Sequence, residues 1–529
     1  MLGWTEPSTK LDQGIDHLGL RVAGEACYNQ LIDFTTTVSW RPRYLSFYCW
    51  AAEQAFLRAG GQLDGQPHEV DVQVYRSTFK RLDFALSAAT LVEDLEAKHI
   101  VGSTALRRRL SRPPFKDTRR LPLTADHVGA AMGGFAIYAG PMRLLGLLGS
   151  AHGFDVPRPG TPGQALAHAF GRSVAATGID LLDADALDRG ALARLGEVCG
   201  LDRFARRAAS HPRVAEELQL VRAVLVDWDA FARGEGPSAA RVLSLGILLE
   251  LHRRAAGRQV RLDDFRAATL LGIQPRLPAI YDGVLARWRV YQAHAYATLA
   301  LESLLAFVLA LAARQATPLG SSRLAREALA AIGAGAKHSE LRLPVELRPW
   351  PSCRLGDAAA DPWTDCDEPR IKASLRAGEG GPAWGYDASL LLVRSVVRLR
   401  QLARAGDPWT GRPDAWRLPP ERLIATFVAA EQEGATVKQY LAKILERDVL
   451  HQHHSNALRK LISRPHADSA RFMFEEGRVV PLGNINPGTS SPRYANAVEY
   501  LTELGYLDGA RPTAEGLALL RRVDSGGGP

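Results

Sequence analysis

The sequence predicts a mainly α-helical, multidomain protein with a winged-helix-like C-terminal end. Three observations carry that reading. Ala, Leu and Arg, all good helix formers, fill long amphipathic runs at 78–97, 213–233, 238–255, 285–313, 390–405, 421–430 and 436–462. Strand patterns are few: Val70, Val72 and Val74 alternate with polar residues, and 471–474 with 478–480 flank Glu475-Glu476-Gly477 as a hairpin. The 529 residues also exceed what one hydrophobic core holds, which suggests about two to four domains.

Taken in order, residues 1–340 read as a helical N-terminal region. A sub-boundary is expected near 111–163, where Pro113, Pro114, Pro122, Pro157, Pro159 and Pro162 interrupt the pattern. Residues 341–385 hold six prolines and end in Gly-Glu-Gly-Gly, a composition that reads as a connection between folded units. A second helical domain is expected over 386–480. Residues 481–529 form the winged-helix-like end, with Ser491 as helix cap and Pro492 at the first helical position. Tyr506-Leu507 would be a short strand, Asp508-Gly509 a turn, and Thr513 the cap of the last helix.

With 46% hydrophobic and 23% charged residues, the chain is neither disordered, collagen-like nor a coiled coil. Five dispersed cysteines exclude a disulfide scaffold and fit a reducing compartment. The opening MLGWTEPSTKLDQGID lacks the basic end and apolar run of a signal peptide. Two apolar stretches, 128–151 and 297–313, are broken only by Arg143 and Glu302 respectively. Glycines and Pro141 in the first, and the 17-residue length of the second, favour buried helices over bilayer spans. A cytoplasmic protein without membrane contact is the expectation.

Charge is concentrated. Lys98, Arg107, Arg108, Arg109, Arg112, Lys116, Arg119 and Arg120 face only Asp117, so 98–120 carries +7 of a chain total of +8. Lys and Arg that neutralise phosphates release counterions, so this segment is the candidate nucleic-acid contact. The alternative is a solvated basic loop. Residues 421–529 balance 13 basic against 13 acidic residues, and the first helix of the C-terminal module offers Arg493 against Glu499 and Glu503. A groove-reading helix brings more positive charge than that, so protein docking suits this module better than DNA.

Residues 35–50, TTTVSWRPRYLSFYCW, hold five of the chain's 39 aromatics. A helix capped by Ser39, with Pro42 in its first turn, would put Trp40, Tyr44, Phe47 and Tyr48 on one face. A packed core is the leading reading, and a base-stacking platform flanked by Arg41 and Arg43 is the alternative. The run from Leu18-Gly-Leu-Arg through Tyr28, Thr35–Thr37 and Arg41-Pro-Arg-Tyr-Leu-Ser-Phe-Tyr-Cys-Trp50 resembles an N-terminal motif of uncharacterised bacterial proteins encoded among phage-defence genes. The resemblance covers about the first 50 residues and brings no catalytic residue with it. It implies a role in defence or DNA metabolism.

Enzymatic motifs are sparse. No cysteine pair has CxxC spacing, and His451, His453 and His454 lack an HExxH pattern. Gly333-Ala-Gly-Ala-Lys337 falls short of a phosphate-binding loop and reads as a helix stop. Glu96-Ala-Lys98, expected on a helix, and Arg459 with His466 are the nuclease candidates. The sequence therefore points to a nucleic-acid-contacting or scaffolding subunit of a bacterial assembly. It would carry no cofactor of its own, bind DNA in preference to RNA, and work with protein partners such as an ATPase or nuclease. The alternative is a nuclease, a metal-dependent DNase or a helical RNase.

Overall fold

The computed structural model describes residues 16–62, 70–112, 120–123, 134–150, 156–234, 236–344, 347–360, 363, 367–404, 420–463, 470–489 and 493–526. The fold is mainly α. The chain divides into two compact units that interleave in sequence: one takes 1–29, 263–277 and 282–490, the other 30–262, 278–281 and 491–529.

The first unit is organised on the helix Asp282–Ala312, which packs along Trp384–Arg404. Its apolar residues go all the way round, as a helix enclosed on every side requires. Among the described residues one helical stretch, 279–312, is long and apolar enough to cross a membrane, and 83% of its apolar window is buried in the fold. The expected helix over 436–462 is continuous but mixed. Val437–Lys443 starts from a Thr436–Gln439 capping box, Ile444–His451 is a π-helical segment, and Gln452–Ser463 returns to α. The hairpin forms with a shorter turn than expected, Phe472–Glu475 against Arg478–Pro481, with Glu475 paired to Arg478 and Phe474 opposite Val479. Glu476 and Gly477 both have positive φ (49° and 76°), the primed turn that matches strand twist. Leu319–Gly320 adds a third strand beside Arg478–Pro481.

Residues 341–385 do not separate two domains. They lie inside the first unit, where Leu347, Trp350, Leu355, Trp363, Ile371 and Leu375 join the same core as the 282–312 and 384–404 helices. Trp350 Nε1 donates to Ser389 Oγ at 2.9 Å, and Trp363 Nε1 to the Ala358 carbonyl at 2.9 Å. The division expected at 386, between one domain and the next, is likewise absent, because 282–490 belongs to one unit.

The second unit packs the helices Arg43–Arg58, Val72–Glu93, Thr161–Ala176, Arg189–Cys199 and Pro212–Leu225. The strand expected at Val70–Val74 is instead the start of a helix. Asp71 caps it by accepting from the Gln73 and Val74 amides, and Tyr75, Thr78, Phe79 and Leu82 continue a 3.6-residue apolar repeat. Likewise Ser39 does not cap the aromatic helix. Its hydroxyl accepts from the Thr36 amide at 2.6 Å, and helix begins only at Arg43, after Pro42. Tyr494–Glu503, the strands Leu507–Asp508 and Arg511–Pro512, and Ala514–Asp524 capped by Thr513 follow in the order the sequence suggested. Residues 491 and 492, expected to open that first helix, lie outside the described residues.

The aromatic segment is core from Tyr44 to Trp50, whereas Trp40 precedes the helix and is half-buried against His99. Tyr44, Phe47 and Tyr48 are fully buried. Tyr44 stacks on Tyr138 at 4.7 Å between ring centroids, and its hydroxyl accepts from the Val101 amide at 3.0 Å. Tyr44→Ala should lower stability by about 3 kcal/mol in chemical denaturation, since a large aromatic leaves both a cavity and an unpaired amide. A variant of unchanged stability that loses nucleic-acid binding would instead make this ring a contact platform.

Candidate nucleic-acid interface

The helix Ser103–Leu110 buries Leu106 and Leu110 and places Arg107, Arg108 and Arg109 in its last turn. Cations there complement the unpaired carbonyls at the helix C-terminus, so part of this charge is explained by the helix itself. The structure separates the seven candidate residues into three groups. Arg107 is held within the fold: its Nε donates to the Leu95 carbonyl at 2.7 Å and its NH2 to the Ala97 carbonyl. Arg109 lies over the Phe84 ring, 5.3 Å from its centroid, and Arg120 donates to the Ala186 carbonyl at 3.2 Å. Arg108, in the last turn of the helix, and Arg112, just past its end, are both exposed. Lys116 and Arg119 lie outside the described residues.

Arg41 and Arg43, read as flanking a stacking platform, are instead buried ion-pair centres. Arg41 donates to the Lys98 carbonyl and pairs with Glu499 and Glu503. Arg43 makes a bidentate pair with Glu217, both side chains fully buried. Glu503 also accepts from the Arg203 and Phe204 amides, at 2.9 and 2.7 Å. Burial raises the Glu503 carboxyl above its ordinary range, and Arg41 opposes that rise. The two acids that weakened the DNA reading of the C-terminal module thus fasten its first helix to the fold. Tyr494, Asn496, Ala497, Tyr500 and Leu501 of that helix are buried too, and Arg493 donates to the Thr35 carbonyl. A helix covered in this way presents little to a groove.

Among the described residues the catalytic candidates form no cluster. Helix ends at Glu93, so Glu96 and Lys98 sit in the following turn, both exposed. Arg459 donates to Asn456 Oδ1 at 2.8 Å, and His466 lies outside the described residues. His453 has both ring nitrogens engaged: Nδ1 donates to the His17 carbonyl at 3.0 Å, and Nε2 accepts from the Arg471 amide at 3.1 Å. Burial pushes its pKa down to about 4, so the ring is neutral. His451 stacks on Phe474, and His454 packs against Phe472 and Phe474. Among the described residues no three His, Cys, Asp or Glu side chains are grouped to hold a metal ion. Burial raises the Cys199 thiol to about 12 and Cys353 to about 11, away from nucleophilic use.

Among the buried polar centres that sequence reasoning missed is Asp83. Asp83 is enclosed by Tyr48, whose hydroxyl donates to it at 3.0 Å, and by the Gly134 amide at 2.9 Å. A Cβ at Gly134 would meet the Tyr48 hydroxyl at 2.6 Å, so only glycine allows this approach. Burial raises Asp83 to about 6. The legible signal was an acid inside the apolar half of the 72–93 helix. No family model, curated protein or solved structure matches this chain.

Proposed function

We propose that the chain is a nucleic-acid-contacting subunit of a bacterial assembly, an anti-phage one as its N-terminal resemblance implies. It would touch the backbone of DNA through segment 98–120, and its other surfaces would scaffold partner proteins. The observation that carries this reading is the +7 segment, in which Arg108 and Arg112 stand exposed at the C-terminal end of a short helix. Two exposed guanidiniums four residues apart suit phosphate contact, without any requirement for base sequence. The buried first helix of the C-terminal module supports docking rather than groove reading for that end of the chain.

Binding affinity measured against salt concentration tests the proposal, with duplex DNA and single-stranded RNA of mixed sequence as probes. Arg108→Gln with Arg112→Gln should flatten the logarithmic salt slope for DNA by about 1.8, roughly 0.9 per lost phosphate contact. Arg107→Gln should leave it unchanged, because that side chain already serves two carbonyls. If the double variant keeps the wild-type slope, the segment is a solvated surface and the reading fails.

A further inference from the structure

In the second unit a cavity of about 320 Å³ opens between the Val72–Glu93 helix, the end of the Arg43–Arg58 helix and the turn 181–184. The volume lies at the small end of the range in which proteins hold organic ligands. Val74, Thr78, Arg81 and Leu82 form one wall, at the helical spacing that gives a single face. Leu123, Leu181 and Leu182 complete the lining. A half-open pocket of mixed polar and apolar lining, Ser77 and Thr78 beside the leucines, with two guanidiniums at its border, is therefore already built.

Both arginines strap down the same turn. Arg58 NH1 donates to the Leu182 carbonyl at 2.6 Å and its NH2 pairs with Asp183 at 2.9 Å. Arg81 NH2 donates to the Ala184 carbonyl. Strapping does not use all their donors. The Arg81 Nε is buried and has no hydrogen-bond partner among the described residues. Asp183 is 72% exposed and Arg58 40% exposed, so water competes with that pair and an incoming anion can replace the aspartate at small cost. A guanidinium presents a planar fork matched to carboxylate or phosphate oxygens.

We infer that this cavity binds a small organic anion, with the oxyanion between Arg58 and Arg81 and an apolar body against the leucines. Medium-chain carboxylates and phosphate monoesters share that chemistry. Calorimetric titration of the full-length protein with octanoate, octyl phosphate, octanol and inorganic phosphate tests it and separates the sources. At least one octyl anion should bind tenfold or more tightly than octanol and than inorganic phosphate. The tighter of the two anions names the head group. Arg58→Gln alters a half-exposed side chain and should fold normally, and it should weaken the octyl anion at least fivefold while leaving octanol unchanged. Arg81→Gln, checked for an intact thermal transition, should do the same. The inference fails if neither octyl anion binds better than octanol, or if Arg58→Gln binds it as tightly as the wild type.

Discussion

Glu217→Ala is expected to destabilise the second unit by roughly 3–5 kcal/mol, the largest loss among single changes at a buried ion pair. Arg43 and Glu217 are both fully buried. The carboxylate accepts from Arg43 Nε at 3.1 Å, from NH2 at 2.9 Å and from the Ser46 hydroxyl at 2.5 Å. The remaining guanidinium nitrogen donates to the Val198 and Gly200 carbonyls, each at 2.8 Å, and Phe170 and Phe204 lie within 6 Å of the charge. Removing the carboxylate leaves a fully buried cation among rings and carbonyls. Arg43→Met combined with Glu217→Leu removes both charges and keeps apolar volume, so most of the loss should return. Urea midpoints for the single and double variants provide the measurement. A single variant as stable as the wild type, or a double variant no better than the single, would contradict this account.

That pair also shows where reading the sequence stops. Helical architecture was legible because period and propensity are local: the 384–404 helix, the Glu476-Gly477 turn and the Thr513 cap each follow from a few adjacent residues. Partner choice is not local. Arg43 looks the same in the sequence whether it meets a phosphate or Glu217, 174 positions away. The same limit explains the error at 341–385. Proline and glycine suit a linker and a wrapped, non-helical segment equally. The discriminating signal was Trp350 and Trp363, two large apolar side chains that an exposed linker would leave in water and that the first unit buries. Of the seven basic candidates, the sequence located the segment but could not show that Arg107 bonds back to the Leu95 and Ala97 carbonyls, because a carbonyl acceptor has no residue identity to read.

The apolar run 297–313, interrupted only by Glu302, yields the second large effect. Burial raises this carboxyl to about 8; the Gly488 amide, donating to Oε2 at 3.1 Å, opposes the rise, nearby Asp16 adds to it, and Arg376 and Lys460 act against it. Glu302 is therefore mainly protonated at neutral pH in the folded chain, whereas its ordinary value is 4.5. Between those two values the folded state holds a proton that the unfolded state has released, so stability falls as pH rises from about 4.5 to about 8. Below that window both states are protonated and the penalty vanishes. The accumulated cost is about 5 kcal/mol above pH 8, at 1.36 kcal/mol for each pH unit. Glu302→Gln keeps a carbonyl oxygen for the Gly488 amide and has no proton to lose. Its stability should match the wild type near pH 4 and exceed it progressively toward pH 8, reaching several kcal/mol. Urea midpoints at pH 4, 6 and 8 would show the two curves diverging. Curves that run parallel across that range would mean Glu302 reaches water or a cation when ionised, and the run is less enclosed than its burial indicates.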